Sequence, residues 1–445
     1  MTLIRRYPII PLIIFLCLSS GAPASAAPGP GLFWTLNQSI ERGLSENNKL
    51  KVARDRVVQA DQVEKQAFSE FLPKFSTTYG YKRLDEPQTF DLVFPHAAPV
   101  SAEISTVDNF QWTGTVSQTI FKGFGLVGSY RWARLGLYRA RAEADLDKID
   151  LALKIKQAYF NVLAADKTVQ VADQAVASLT AHVNTAQNFY ELEMIPVNEL
   201  LKAQVQLGNA QYDRVKAVNA ARQSRAVFNT LLLLPIDTPI SLEDILVFAP
   251  VEKGYDACLA QALKQRPEIR SIQLAILQSD QQIRIARSRM YPEIDLQYRY
   301  IKEGDSPDVS GSDFHEPNRW EASAVLSWTL WDWGKAHYTA GERKGRRDEL
   351  RHMKAMVEED IRLEIKNALL KLDEANENIP KAAEAVKQGE ENLRVSTERF
   401  NAKAAASTEV LDAQSLLTQA RFNYYRAIYD YNLAKAGLER ALGSY

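Results

Sequence analysis

Residues 116–128 read VSQTIFKGFGLVG, where Gly123, Gly125 and Gly128 spell G-x-G-x-x-G between a strand-like and a helix-like stretch. A dinucleotide-binding loop needs a buried parallel strand, a helix of ordinary length, and an acid about 20 residues on at the end of a second strand. Here the strand alternates: Phe110, Trp112, Val116 and Ile120 share one face, and Gln111, Thr113, Thr115, Ser117 and Thr119 the other. The helix that follows has no proline from 126 to 190, about 65 residues or about 100 Å at 1.5 Å per residue. Asp145 and Asp147 fall inside it. The glycines therefore read as a sharp turn from strand to helix, and the fold turns on what strands and helices of this kind build together.

Working outward, the chain of 445 residues carries 54 basic and 55 acidic side chains, for a formal charge of −1. No basic excess points to nucleic acid, and no acidic block to a solvating tail. Arg5 and Arg6 precede the apolar run IIPLIIFLCL and the small residues Ala24-Ser25-Ala26, which reads as a signal peptide over 1–26. Cys17 follows Leu16, where lipoprotein processing needs a small residue. Cys258 is then the one cysteine left, read as a small apolar residue on a helix face. No other segment approaches the 18 apolar residues of a membrane helix.

The chain is written twice. LNQSIERGLSENNKL (36–50) aligns with YDACLAQALKQRPEI (255–269) at an offset of 219, and Pro73, Tyr79 and Tyr81 meet Pro292, Tyr298 and Tyr300. Further on the offset is 210: VSQTIF (116–121) meets LSWTLW (326–331), and NELLKAQ (198–204) meets TEVLDAQ (408–414). The nine extra residues of the first copy fall between 82 and 115, in a Pro-, Asp- and Ser-rich stretch read as a surface loop. Each copy reads helix, strand, loop, strand, very long helix, short break, helix. The first copy spans 27–233 and the second 255–445, with a proline-rich linker over 234–254.

Four strands per chain alternate. EIDLQYRY sets Ile294, Leu296, Tyr298 and Tyr300 against Asp295, Gln297 and Arg299, and the strand from Trp320 sets Ala322, Ala324, Leu326 and Trp328 against Glu321, Ser323 and Ser327. Such strands suit a soluble half-buried sheet or a barrel wall facing lipid and water. The helices separate the two: no compact domain encloses helices that long, so they run along each other as coiled coil, with Ala152, Ala158, Ala164, Ala165, Ala172 and Ala175 allowing close approach. Pro380 reads as a kink in the second long helix. Four strands cannot close a barrel, and an open edge in lipid costs several kcal/mol for each unpaired backbone group. Three chains would supply twelve strands.

This order of motifs resembles the TolC-type outer-membrane efflux and secretion duct family over nearly the whole mature chain. The matching signatures are ENNKL (46–50) and QRPEI (265–269) opening helices, the turn LWDWGK (330–335), and the repeated segment Glu199-Leu200-Leu201-Lys202-Ala203-Gln204 and Glu409-Val410-Leu411-Asp412-Ala413-Gln414. The resemblance implies a mainly α homotrimer with a twelve-stranded β-barrel in the outer membrane of a Gram-negative bacterium, continuing into a long α-helical barrel. It implies a passive exit duct of a tripartite efflux pump or type I secretion system, with no enzyme activity and no cofactor, working with a periplasmic adaptor and an inner-membrane transporter. A soluble periplasmic coiled-coil scaffold is the competing reading.

The resemblance also implies a periplasmic tip. Pro196, Asn198, Glu199, Leu200, Leu201, Ala203 and Gln204, with Lys403, Thr408, Val410, Leu411, Ala413 and Gln414, would form the turns that dock the adaptor. Glu409 and Asp412 would ring the constriction. Residues three apart share a helix face, so both carboxylates can point one way, although acids also suit a solvated helix N-terminus. Gln111, Thr113, Thr115, Ser117, Asp295, Gln297, Arg299, Glu321, Ser323 and Ser327 would face the lumen. Where the family usually has glycine after an aromatic, this chain has Glu193 after Tyr190 and Lys403 after Phe400. Glu193, Lys202 and Lys403 are expected to bridge hairpins. The five histidines show no metal-ligand spacing, and no nucleophile elbow or Walker loop occurs.

Overall fold

The computed structural model describes residues 32–92, 95, 100–246, 248 and 254–445. The leader expected over 1–26 lies outside the described residues, as does part of the linker. The first repeat holds β1 (Leu32–Trp34), α1 (Leu36–Glu46), α2 (Asn48–Ser69), β2 (Lys74–Arg83), β3 (Thr89–Leu92), β4 (Val100–Glu103), β5 (Asp108–Lys122), α3 (Gly125–Glu191) and α4 (Val197–Leu231). After β6 (Ile240–Leu242) come α5 (Tyr255–Gln265), α6 (Pro267–Ser288), β7 (Glu293–Gly304), β8 (Asn318–Ser327), α7 (Lys335–Asn401) and α8 (Ser407–Ala441).

The repeat survives into backbone detail. Helices of 11, 22, 67 and 35 residues occur in that order in both halves. Left-handed backbone recurs at the same places: Gly123 and Phe124 match Trp333 and Gly334, Glu193 matches Lys403, and Leu233 matches Gly443. Such positions mark where the chain reverses after a strand or a helix.

The stretch read as a loop between β2 and β5 contains the β3–β4 hairpin, and the proline-rich linker contributes β6, which pairs in parallel with β1. None of these four strands shows as alternation in the sequence because each is three or four residues long.

One antiparallel sheet has the order β2-β5-β7-β8. Its outer strands, β2 and β8, each have one edge without a partner among the described residues. Below it the helices form a layer. In the half nearer the sheet the neighbours run α2, α3, α6, α7; in the far half they run α4, α3, α8, α7. The long helices α3 and α7 span both halves. The shorter ones are stacked end to end: Asn47, which caps α2 by accepting from Lys49 N–H at 2.9 Å, also donates from Nδ2 to the Leu231 carbonyl of α4 at 3.0 Å. At the other joint Gly443, at φ +83°, brings the end of α8 against the Arg266 backbone that opens α6.

The core sits at these joints. Ile155 and Phe228 in one cluster have as repeat counterparts Ile365 and Leu438 in the other, all buried. A fully buried side chain of this size contributes about 1.5–3 kcal/mol, so two matching clusters hold the middle of the layer. Cys258 lies in the second cluster, as an apolar residue does. Ala152, Ala158, Ala172 and Ala175 are buried along α3, while Ala164 and Ala165 are partly exposed. Helix α7 runs unbroken through Pro380. Among the described residues no helix is long and apolar enough to cross a membrane.

The glycine triplet has a packing reason. A Cβ on Gly123 would overlap the Ser288 carbonyl oxygen, one on Gly125 would lie 2.8 Å from Ser288 Oγ, and one on Gly128 would lie 3.0 Å from Ile285 Cγ1. The glycines seat the start of α3 against the end of α6, and Gly123 also takes φ +54° for the turn.

Candidate functional site

The register of the sheet sorts its two faces. Phe75, Val116, Tyr298 and Ala322 form one cross-strand row, and Ser76, Thr115, Arg299 and Glu321 the next. With a side-chain period of two, Gln111, Thr113, Thr115, Ser117, Asp295, Gln297, Arg299, Glu321, Ser323 and Ser327 all share the polar face. That face is laced by its own pairs. Arg299 meets Glu321 at 2.8 Å, and the Thr119 hydroxyl donates to Asp295 at 2.6 Å. Strand β7 runs on to Gly304, so sequence reading missed Glu303, which accepts from Gln111 at 2.7 Å and pairs with Arg319 at 2.9 Å.

The opposite face is aromatic and open. Phe75 is 77% exposed and Trp320 67%, with Tyr79, Tyr81, Leu326 and Trp328 also exposed. Strict alternation put Ile120 in this row, but a bulge between Thr119 and Phe121 removes it from pairing. Phe121 instead sits opposite Ile294, whose other neighbour is Leu326. The extra residue lets the strand leave the sheet toward α3 with an aromatic on the apolar side.

At the far end of the layer, the turns after α3 and α7 come together. Ala186, Leu200, Phe400 and Val410 pack as one cluster with Phe189, Ile195 and Leu393 against it. Leu179, Ala203 and Leu411 form a second. The repeated motif therefore divides. Leu200, Ala203, Val410, Leu411, Ala413 and Gln414 are buried between the hairpins, while Pro196, Asn198, Leu201, Gln204 and Lys403 are exposed and Thr408 is half-buried. Gln204 and Gln414 are repeat counterparts with opposite environments: the first is exposed, and the second accepts from the Ser178 hydroxyl at 2.6 Å.

Glu409 and Asp412 are both exposed on the first turns of α8, and Glu409 pairs with Arg399 of α7 at 3.1 Å. The counterpart Glu199 is half-buried. Its Oε1 lies 3.4 Å from Lys202 Nζ, and its buried Oε2 has no hydrogen-bond partner among the described residues. The expected ion bridges of Glu193, Lys202 and Lys403 do not form within the chain. Lys202 turns to its own helix, Glu193 makes no ion pair among the described residues, and Lys403 holds its ammonium 5.9 Å from the Phe189 ring centroid. Glu193 and Lys403 occupy left-handed backbone at φ 56° and 60°. The conformation that glycine would ease is thus kept without glycine.

His182 adds a buried polar link between the hairpins. Its Nε2 lies 2.7 Å from Ser407 Oγ, and its ring is 4.8 Å from that of Phe400. Burial pushes its pKa down, favouring the neutral ring. Sequence reading considered this histidine only for metal spacing and missed it. The aromatic residues Phe189 and Phe400 flanking the turns were the available signal. Among the described residues no cluster of His, Cys, Asp or Glu could hold a metal ion.

The chain thus joins a four-stranded sheet with one aromatic and one polar face to a helical layer that includes two 67-residue helices. The sequence matches the outer membrane efflux protein family over residues 40–232 and 258–444, and the chain belongs to that family. It is thereby an outer-membrane protein of the efflux channel class. The outer membrane protein TolC of Vibrio cholerae is 22% identical over 97% of this chain and 95% of its own length. Among solved structures, the outer membrane protein VceC from Vibrio cholerae superposes with a TM-score of 0.76 at 16% identity, covering 92% of this chain and 96% of VceC. The Campylobacter jejuni CmeC outer membrane channel gives 0.75 at 18% identity, covering 92% and 85%.

Proposed function

We propose that the chain is one third of a trimeric exit duct, serving a tripartite efflux pump or a type I secretion system as a passive path to the outside. The observation that carries this is the pair of unfinished edges. On one side of the chain lie β2, α2 and α4; on the other lie β8 and α7. Both sides expose large apolar residues at heptad-like spacing: Leu201, Val205, Tyr212 and Val215 on α4, and Met353, Met356, Leu363 and Leu370 on α7. Edge strands and apolar seams of this kind demand a partner, and a copy of the same chain supplies the matching edge. Three copies give twelve strands, with aromatic side chains toward lipid and the polar face of Gln111, Thr115, Gln297 and Glu321 toward a water-filled lumen.

In this reading the repeats span 27–233 and 255–445, and the tip closes the periplasmic end. Asp412 makes no ion pair among the described residues, so three Asp412 and three Glu409 can ring the constriction and favour cations. The exposed part of the motif, Pro196, Asn198, Leu201, Gln204 and Lys403, is the surface open to an adaptor; its buried part holds the hairpins together. The test is ion conductance after adding detergent-extracted full chain to a planar bilayer. Cation-selective steps that change on Glu409→Gln with Asp412→Asn support the duct. Absence of any conductance, with protein that needs no detergent, supports the periplasmic scaffold instead.

A further inference from the structure

We infer that the level where the sheet meets the helices carries a collar of unpaired cations, Arg131, Arg284, Arg287, Arg289 and Lys335, that binds anionic phospholipid headgroups of the periplasmic leaflet. The inference rests on the membrane-embedded reading above and adds the lipid class that the duct recognises.

All four strand-to-helix junctions meet at one level: α2 into β2, β5 into α3, α6 into β7, and β8 into α7. Within about two and a half turns of helix from it, each acid is engaged. Asp61 pairs with Lys65, Glu70 with Lys74, Glu293 with Lys122, and Glu342 with Arg343. Glu64 accepts from the Tyr130 hydroxyl, Asp280 faces Arg347, and Asp332 accepts from the Ala336 N–H. The five collar cations are exposed and make no ion pair among the described residues. In a chain whose overall charge is −1, that leaves a local positive excess.

Helix dipoles do not account for the pattern. A cation is favoured at a helix C-terminus, where Arg287 and Arg289 sit, but disfavoured at an N-terminus. Lys335 is the first residue of α7, and Arg131 lies in the second turn of α3. Their neighbours identify the surroundings instead. Arg289 is followed by exposed Met290 and Tyr291, and Lys335 is preceded by Trp331 and Trp333, the latter 84% exposed. Indole and phenol rings interleaved with basic side chains fit the interface, where rings sit among headgroups and long cationic side chains reach the phosphates. Arg284 and Arg287, three apart on α6, share one helix face, so at least these two can meet the same headgroups.

The exposed tryptophans report on the collar. The full chain is reconstituted in phosphatidylethanolamine bilayers doped with brominated phosphatidylglycerol or brominated phosphatidylethanolamine, and tryptophan quenching gives their relative binding. The preference for phosphatidylglycerol is expected to be roughly fivefold for each cation engaged. It should fall by roughly fivefold for each cation removed in R284Q/R287Q/R289Q, with insertion and quenching by phosphatidylethanolamine unchanged. Equal quenching of the unaltered protein by both lipids, or a preference that the triple substitution leaves at its full value, overturns the collar and leaves the duct standing. Loss of the preference on adding inorganic phosphate at matched ionic strength assigns the site to free phosphate and overturns the lipid assignment. Failure to insert into either bilayer overturns the duct reading and the collar with it.

Discussion

His182 on α3 and Ser407 at the start of α8 share a hydrogen bond of 2.7 Å in a buried setting, tying the first hairpin to the second. Because burial holds the His182 pKa below the ordinary value of about 6.5, the unfolded or opened chain takes up the proton more readily than the closed one. The stabilising effect is complete above about pH 6.5 and fades as pH falls through that value. Protection factors of the 400–410 backbone amides, taken against the intrinsic exchange rate at each pH, should therefore fall from pH 7.5 to pH 5. His182→Gln, which can still bond Ser407 but does not titrate, should flatten that dependence.

The left-handed turn at Glu193 carries a steric cost that glycine lacks, about 1–2 kcal/mol for an ordinary residue. Part of it is offset by the greater freedom glycine has when unfolded. Glu193→Gly should raise stability by about 0.5–1 kcal/mol and Glu193→Val lower it by about 1 kcal/mol, read from denaturant midpoints. Equal effects of the two substitutions would contradict the turn geometry.

Gly123 and Gly341 should respond oppositely to alanine. At Gly123 the new Cβ meets the Ser288 backbone and the φ is unsuited, so Gly123→Ala should cost more than about 2 kcal/mol and reduce folded yield. Nothing lies within 4 Å of a Cβ on Gly341, in the interior of α7, so Gly341→Ala should add about 0.5–1 kcal/mol. Thermal melting of both variants checks the pair.

The α8–α6 joint depends on a buried charge. Arg266, 4% exposed, reaches Glu268 and Glu364, each at 2.5 Å, and Arg440 joins both acids and Asp150. Burial pushes the Glu268 carboxyl up, but hydrogen bonds from Arg266 outweigh it and the net shift is downward. Arg266→Ala removes the first of its two cations, leaving Arg440 at 3.0 Å, and should cost about 3 kcal/mol. Adding Glu268→Ala should recover part of the loss. Unfolding midpoints of the single and double variants measure the coupling.

Much of this architecture was legible because periodicity and repetition are carried by many residues at once. Two offsets, 219 and 210, located every long helix, and alternation in EIDLQYRY separated Arg299 from Tyr298. What escaped depended on single residues or on tertiary contact. The bulge at Ile120 leaves no mark in a period-two pattern, and β1 and β6 are three residues each. At the tip, the motif showed which residues belong together but not that Gln414 is buried while Gln204 is exposed. That difference comes from α8 lying between α3 and α7, whereas α4 lies at the edge of the layer beside α3. Likewise the charges of Glu193 and Lys202 suggested bridges, whereas the closed hairpins are held by a neutral histidine and aromatic rings.

The central claim is that one chain is an unfinished wall. The most direct measurement is the mass of the detergent-extracted full chain, by light scattering with the detergent contribution subtracted. Three copies per particle, falling to one only on denaturation, is the expected result. A folded single copy that stays dispersed after the detergent is removed would contradict the account.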